Sequence, residues 1–72
     1  MSEIELLSAV AVLRDFPAHG LKRGQVGTVV EMLDPSAVLV EFCDDQGHTY
    51  AMVPLMTEDL MRLHSSPLEQ VA

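Results

Sequence analysis

Hydrophobic and polar residues alternate along most of the first fifty positions with the period of two that belongs to strands. Ser8-Ala9-Val10-Ala11-Val12-Leu13 puts Val10 and Val12 on one face of a first predicted strand, which Leu6 and Leu7 either extend or lead into. Gln25 to Leu33 reads as a second strand. Val26, Thr28, Val30 and Met32 share one of its faces, and Gly27, Val29, Glu31 and Leu33 share the other. A glycine inside a strand marks a bulge, a bend or a close backbone approach, and a bend at Gly27 suits a strand coiling around a small barrel. Ala37 to Cys43 is the third strand, with Val38, Val40 and Phe42 inward and Leu39, Glu41 and Cys43 outward. Thr49 to Val53 is the fourth, with Tyr50 and Met52 opposite Ala51 and Val53, and Pro54 ends it.

The segments between these runs carry turn chemistry. Asp34-Pro35-Ser36 and Asp44-Asp45-Gln46-Gly47 are tight turns, the first pre-set by proline and the second closed by a glycine suited to positive φ. Arg14 to Gly24 is too long for a simple hairpin connection. It is either packed by its own side chains or used for binding. After Pro54, two readings stand. Thr57-Glu58-Asp59 forms one helical turn and Leu60 to Leu63 a short fifth strand, or Thr57 to His64 forms a two-turn helix. Short strands separated by frequent turns predict an all-β domain, a small barrel of about five antiparallel strands spanning residues 1–64. Closure is expected because open edges invite pairing. Ser65 to Ala72 shows no pattern and is expected to be a flexible tail.

Composition sharpens this picture. Hydrophobic residues make up 49% of the 72, yet the aromatic ones are only Phe16, Phe42 and Tyr50, so the core must be aliphatic. That apolar share exceeds what so small a barrel can enclose. Tyr50, Met52, Met56 and Met61 are the candidates for exposure or for burial against a partner. The formal charge is -7, and it is uneven. Glu3, Glu5 and Asp15 balance Arg14, Lys22 and Arg23 in the first third, and Arg62 stands alone against the later carboxylates. A phosphate-backbone binder needs clustered cations, so nucleic acid is disfavoured as a partner. There is no run of ~20 apolar residues to span a bilayer and no basic segment leading into an apolar one, so a cytoplasmic protein without a signal peptide is expected. One cysteine allows no internal disulfide.

Lys22-Arg23-Gly24-Gln25-Val26-Gly27-Thr28-Val29-Val30-Glu31 resembles the Gly-x-x-Gly-x-Val signature of the KOW segment in SH3-like barrels of ribosomal and transcription elongation proteins. A longer resemblance covers residues 7–63. It runs through Asp15-Phe16-Pro17-Ala18-His19-Gly20-Leu21, Gly24 to Glu31, Val38-Leu39-Val40-Glu41-Phe42 and Asp45-Gln46-Gly47 to a leucine-rich end. In order and spacing it is similar to an uncharacterised bacterial family of small proteins, a domain of unknown function. The resemblance implies an SH3-like barrel and brings no activity or functional residues with it.

The residues that could carry chemistry are few. The loop holds the ring of Phe16, the imidazole of His19, apolar Leu21 and the adjacent cations Lys22 and Arg23. It reads as a ligand groove or, if Phe16 and Leu21 fold back, as a cap on the barrel. Cys43, Asp44, Asp45, His48 and His64 lack the paired spacing of a zinc site, so no metal or cofactor is expected. Cys43 and His48 flank one turn, but the neighbouring carboxylates disfavour a thiolate, and Cys43 reads as a small semi-buried filler. The expected function is therefore non-catalytic: an acidic protein-interaction module or accessory subunit, forming a homodimer or binding another protein. The expected contact residues are Phe16, His19, Leu21, Lys22, Arg23, Tyr50 and Met56. The alternative is a KOW-like module contacting RNA or nucleoprotein.

Overall fold

The computed structural model describes residues 4–64. Five strands form one antiparallel sheet: β1 (Ala9–Val12), β2 (Val26–Asp34), β3 (Ala37–Cys43), β4 (Thr49–Met56) and β5 (Leu60–Arg62). Their order across the sheet is β4-β3-β2-β1-β5. Three-residue 3-10 turns lie at Pro17–His19 in the long loop and at Thr57–Asp59 before β5, so the turn-plus-strand reading of the C-terminal segment is the correct one. The expected five antiparallel strands are present. The closed ladder is not: among the described residues β4 pairs with β3 and β5 with β1, and both stand at edges. The tail expected at residues 65–72 lies outside the described residues.

The core is aliphatic except for Phe42. Val10 and Val12 of β1, Val29 of β2, Val38, Val40 and Phe42 of β3, and Val53 and Leu55 of β4 are buried together, joined by Leu60 from β5 and Leu21 from the loop. The inward set on β3 is the predicted one, because nothing in that strand interrupts the alternation. Gly27 pairs with Val10 on the inner face. A Cβ there would lie 2.6 Å from Val40 Cγ1, 2.8 Å from the Glu41 carbonyl oxygen and 2.9 Å from Phe42 Cδ2. Gly27 thus marks a close approach, where β3 and the Phe42 ring press on the β2 backbone.

Four local features differ from the pattern. Leu7 does not extend β1. It adopts φ +69° in a turn, exposed, while its N–H donates to the Val29 carbonyl at 2.7 Å. In β2 the register shifts between Val29 and Glu31 and again between Met32 and Asp34. Each extra residue flips the faces that follow. Glu31 therefore pairs with outward Leu39 instead of sharing the inner face of Gly27 and Val29. A further shift separates Phe42↔Ala51 from Cys43↔Thr49, which leaves Tyr50 outside the alternation. Finally, Pro54 does not end β4: it pairs with Leu39, and the strand continues to Met56. An edge strand accepts proline because half of its N–H groups face away from the sheet.

Candidate functional site

The long loop folds back on the core of the sheet. Phe16 and Leu21 exchange backbone hydrogen bonds of 2.8 and 3.1 Å, with Pro17–His19 as one 3-10 turn between them and Gly20 at φ +70° to reverse the chain. Leu21 is 1% exposed and belongs to the core, so it cannot present a side chain to a partner. Phe16 is half-buried against that core. Its outer side is covered by Arg14, whose guanidinium carbon stands 4.2 Å from the ring centroid. Arg14 in turn grips Asp59, with Nε 3.1 Å from Oδ1 and Nη2 3.3 Å from Oδ2. The loop is a cap locked to the turn before β5. The hollow beside it, about 190 Å³ and lined by Asp15, Pro17, Gly20, Leu21 and Lys22, is smaller than the ~300 Å³ at which small-molecule sites begin.

At the mouth of this cap the loop meets β4. The Lys22 amide donates to Gln25 Oε1, and Gln25 Nε2 donates to Tyr50 Oη at 2.8 Å. The Arg23 amide donates to Asp15 Oδ1 at 2.8 Å. The bulge in β4 causes this meeting: it turns Tyr50 away from the face of Met52 and toward Gln25 and the Phe42 ring, 6.3 Å away between centroids. The structure thus brings Tyr50, Lys22 and Arg23 to one end, with His19 exposed in the same loop. Met56 lies at the far end of β4, opposite Ala37 and beside the β2–β3 turn, so the seven candidate residues do not share one surface.

The other region is the outer face of β2, β3 and β4. Register places Leu39, Pro54 and Glu31 in one row, Glu41, Met52 and Thr28 in the next, and Ala37 with Met56 beyond. Met52 and Met56 are 52% and 43% exposed, and Pro54 is exposed between them. The expected exposure of Tyr50, Met52, Met56 and Met61 is observed. The Thr49 hydroxyl donates to Glu41 Oε2, which fixes one carboxylate on this face. No Lys or Arg occurs from Gly24 to Met61, so all three strands are without a cation. Met52 and Met56 were the signal for this face in the sequence. Leu39 and Glu41 were read as outward too; Glu31 was not, because the bulge in β2 decides where it lies.

The turn after β3 holds its polar groups in separate contacts. Asp44 accepts from the amides of Gln46 and His48 at 2.9 Å each, and the His48 amide, then that of Gln46, holds its carboxyl below the usual carboxylate range. His48 Nδ1 sits 3.6 Å from Asp44 Oδ2, while Cys43 Sγ sits 3.7 Å from Thr49 Oγ1. Cys43 and His48 are therefore engaged apart. Cys43 is also exposed rather than a semi-buried filler, since it faces outward at the end of β3. Among the described residues no three His, Cys, Asp or Glu side chains converge as a metal site would need, and no helix is long and apolar enough to cross a membrane.

A family model described as Domain of unknown function (DUF4926) matches residues 6–62, from the turn before β1 to the end of β5. No curated protein and no solved structure matches the chain.

Proposed function

The chain belongs to that family, a domain of unknown function (DUF4926), and from this premise we propose that it is a non-catalytic, acidic interaction module that binds a protein through the outer face of β2, β3 and β4. The observation that carries the reading is the run of Met52, Pro54 and Met56, exposed at alternate positions on the outer side of β4, an edge strand among the described residues. Methionine adapts its shape to what it packs against, so a methionine-bearing face suits partner recognition. Three carboxylates are already engaged inside the chain: Asp44 by backbone amides, Asp59 by Arg14 and Glu41 by Thr49. The KOW-like alternative has less support. It rests on the exposed cations Lys22 and Arg23, a small counterion-release term opposed by the net charge of -7.

Photo-crosslinking amino acids placed singly at Met52, Met56, His19 and Lys22 in the intact cell test the reading. Protein adducts at positions 52 and 56, absent from 19 and 22, are expected. Adducts confined to 19 and 22, or none at any position, would overturn it.

A further inference from the structure

We propose that the occupant of this face is a basic amphipathic helix from a different protein, an inference that rests on the interaction reading above and specifies the partner. Three observations select it. First, recognition by backbone pairing is blocked. An added strand needs a regular open edge, and β4 carries a bulge at Tyr50 and a proline at position 54, while β5 has only three residues. What remains is side-chain packing onto the face itself.

Second, the dimensions fit a helix. Three strands at about 4.8 Å spacing make a strip about 10–14 Å wide, the diameter of one helix with its side chains. Along β4 the apolar groups Met52, Pro54 and Met56 stand at alternate positions, facing outward, beside Leu39. An amphipathic helix would lay its i, i+3, i+4 and i+7 side chains along them.

Third, charge excludes a second copy and defines the partner's sign. Glu31 and Glu41 stand on the face, Asp34 and the Asp44-Asp45 turn lie at its ends, and β2, β3 and β4 contain no cation. Two such faces pressed together would bury like charges against each other. Lysine or arginine beside an apolar stripe would instead meet Glu41 and Glu31, which lie next to the β4 stripe on β3 and β2, and be steered toward the face before contact.

The test uses the full chain and a designed leucine–lysine peptide of about 18 residues with leucines at i, i+3, i+4 and i+7, long enough to hold a helix. A same-composition peptide with scrambled leucine spacing and a leucine–glutamate analogue are its controls. Affinity and amide chemical-shift changes are read together with sedimentation of the free protein. The expected result is a monomer that binds the leucine–lysine helix with shifts on β3 and β4. Affinity should fall about tenfold with the scrambled peptide and about tenfold in the Met52→Ser, Met56→Ser double variant. Glu31→Gln with Glu41→Gln should weaken binding and flatten its salt dependence. Equal binding of the scrambled peptide, shifts confined to residues 14–24, no binding, or a self-associated form that excludes the peptide would each overturn the proposal. If crosslinks still form at positions 52 and 56 while the helix fails to bind, the interaction module stands and its helical partner falls. If the crosslinks fail as well, both fall.

Discussion

In the loop between β1 and β2, Phe16 lies beneath Arg14, Arg14 is held by Asp59, Leu21 reaches the core, and Gln25 joins the Lys22 amide to Tyr50. On the outer face of β2, β3 and β4, Met52, Pro54 and Met56 are exposed along β4, with Glu41 on β3 and Glu31 on β2 beside them. The loop has the residue types usually associated with binding: an aromatic ring, a histidine and two cations. The strand face has methionine and proline. Yet the loop's apolar groups Phe16 and Leu21 are turned inward and Arg14 is answered by Asp59, while His19, Lys22 and Arg23 stay exposed at its tip; the outer face holds its apolar side chains outward. Chemical variety is thus a poor guide to a site in so small a domain. Such a domain buries a modest share of its surface and must recruit its loops to complete the core.

The sharpest way to break this contrast is to treat the loop as dispensable. Leu21→Ala should cost about 2–5 kcal/mol, because it empties a fully buried leucine position beneath the cap. For a domain of this size that is a large part of the whole stability. Urea denaturation measures it, with Lys22→Ala as a control expected to stay near the parent midpoint. A Leu21→Ala protein as stable as the parent would mean that the loop is not a cap and is free to bind.

Gly27→Val probes the inner side of the same sheet. The Val40, Glu41 and Phe42 atoms already crowd the place a Cβ would take, and two of them belong to core side chains that cannot withdraw. A loss of at least about 1–3 kcal/mol is expected from overpacking, read as a lower thermal midpoint. An unchanged midpoint would show that β3 can move outward, and the outer face would then be softer than its geometry implies.

Much of this was legible in the alternation, and what was not has physical causes. The inward face of β3 followed directly, since Val38, Val40 and Phe42 recur at every second position and Glu41 marks the opposite face. Gly27 was visible as an anomaly inside a strand, but whether it bent or was pressed upon depends on Val40 and Phe42, which are distant in sequence. The bulges at Val30 and Tyr50 leave no hydropathy signal, because one extra residue in a ladder is a property of the pairing and not of either strand. That single residue moved Tyr50 from the outer face to the loop. Pro54 was read as a terminator because edge position is a tertiary fact. Arg14 was passed over entirely: its ring contact and its partner Asp59, forty-five positions away, are visible only in three dimensions.

Arg14→Ala separates the cap's polar clasp from its apolar anchor. The Arg14 side chain is 62% exposed, so solvent screens the pair with Asp59 and much of its attraction is lost to water. The cation–π contact adds a little more at such an exposed site. Together they are expected to contribute no more than about 1 kcal/mol, with a larger rise in hydrogen-exchange rates at Phe16 and Leu21 than in β3. Uniform destabilisation without that local loosening would assign Arg14 to the core rather than to the clasp.

The smallest effect on stability falls where the largest effect on function is expected. Met52→Ser removes an apolar side chain that is 52% exposed and outside the core, so the unfolding free energy should stay within about 0.5 kcal/mol of the parent. If Met52 were held by Glu41 beside it, the loss would approach that of a buried methionine, about 2 kcal/mol or more. Denaturation of the isolated protein decides between these values without reference to any partner. A near-zero change, together with lost crosslinking at position 56 in the same variant, places the contribution of Met52 in the complex rather than in the fold. A substantial destabilisation would reverse the contrast, making the outer face part of the scaffold and leaving the exposed loop tip at His19, Lys22 and Arg23 as the surface available for recognition.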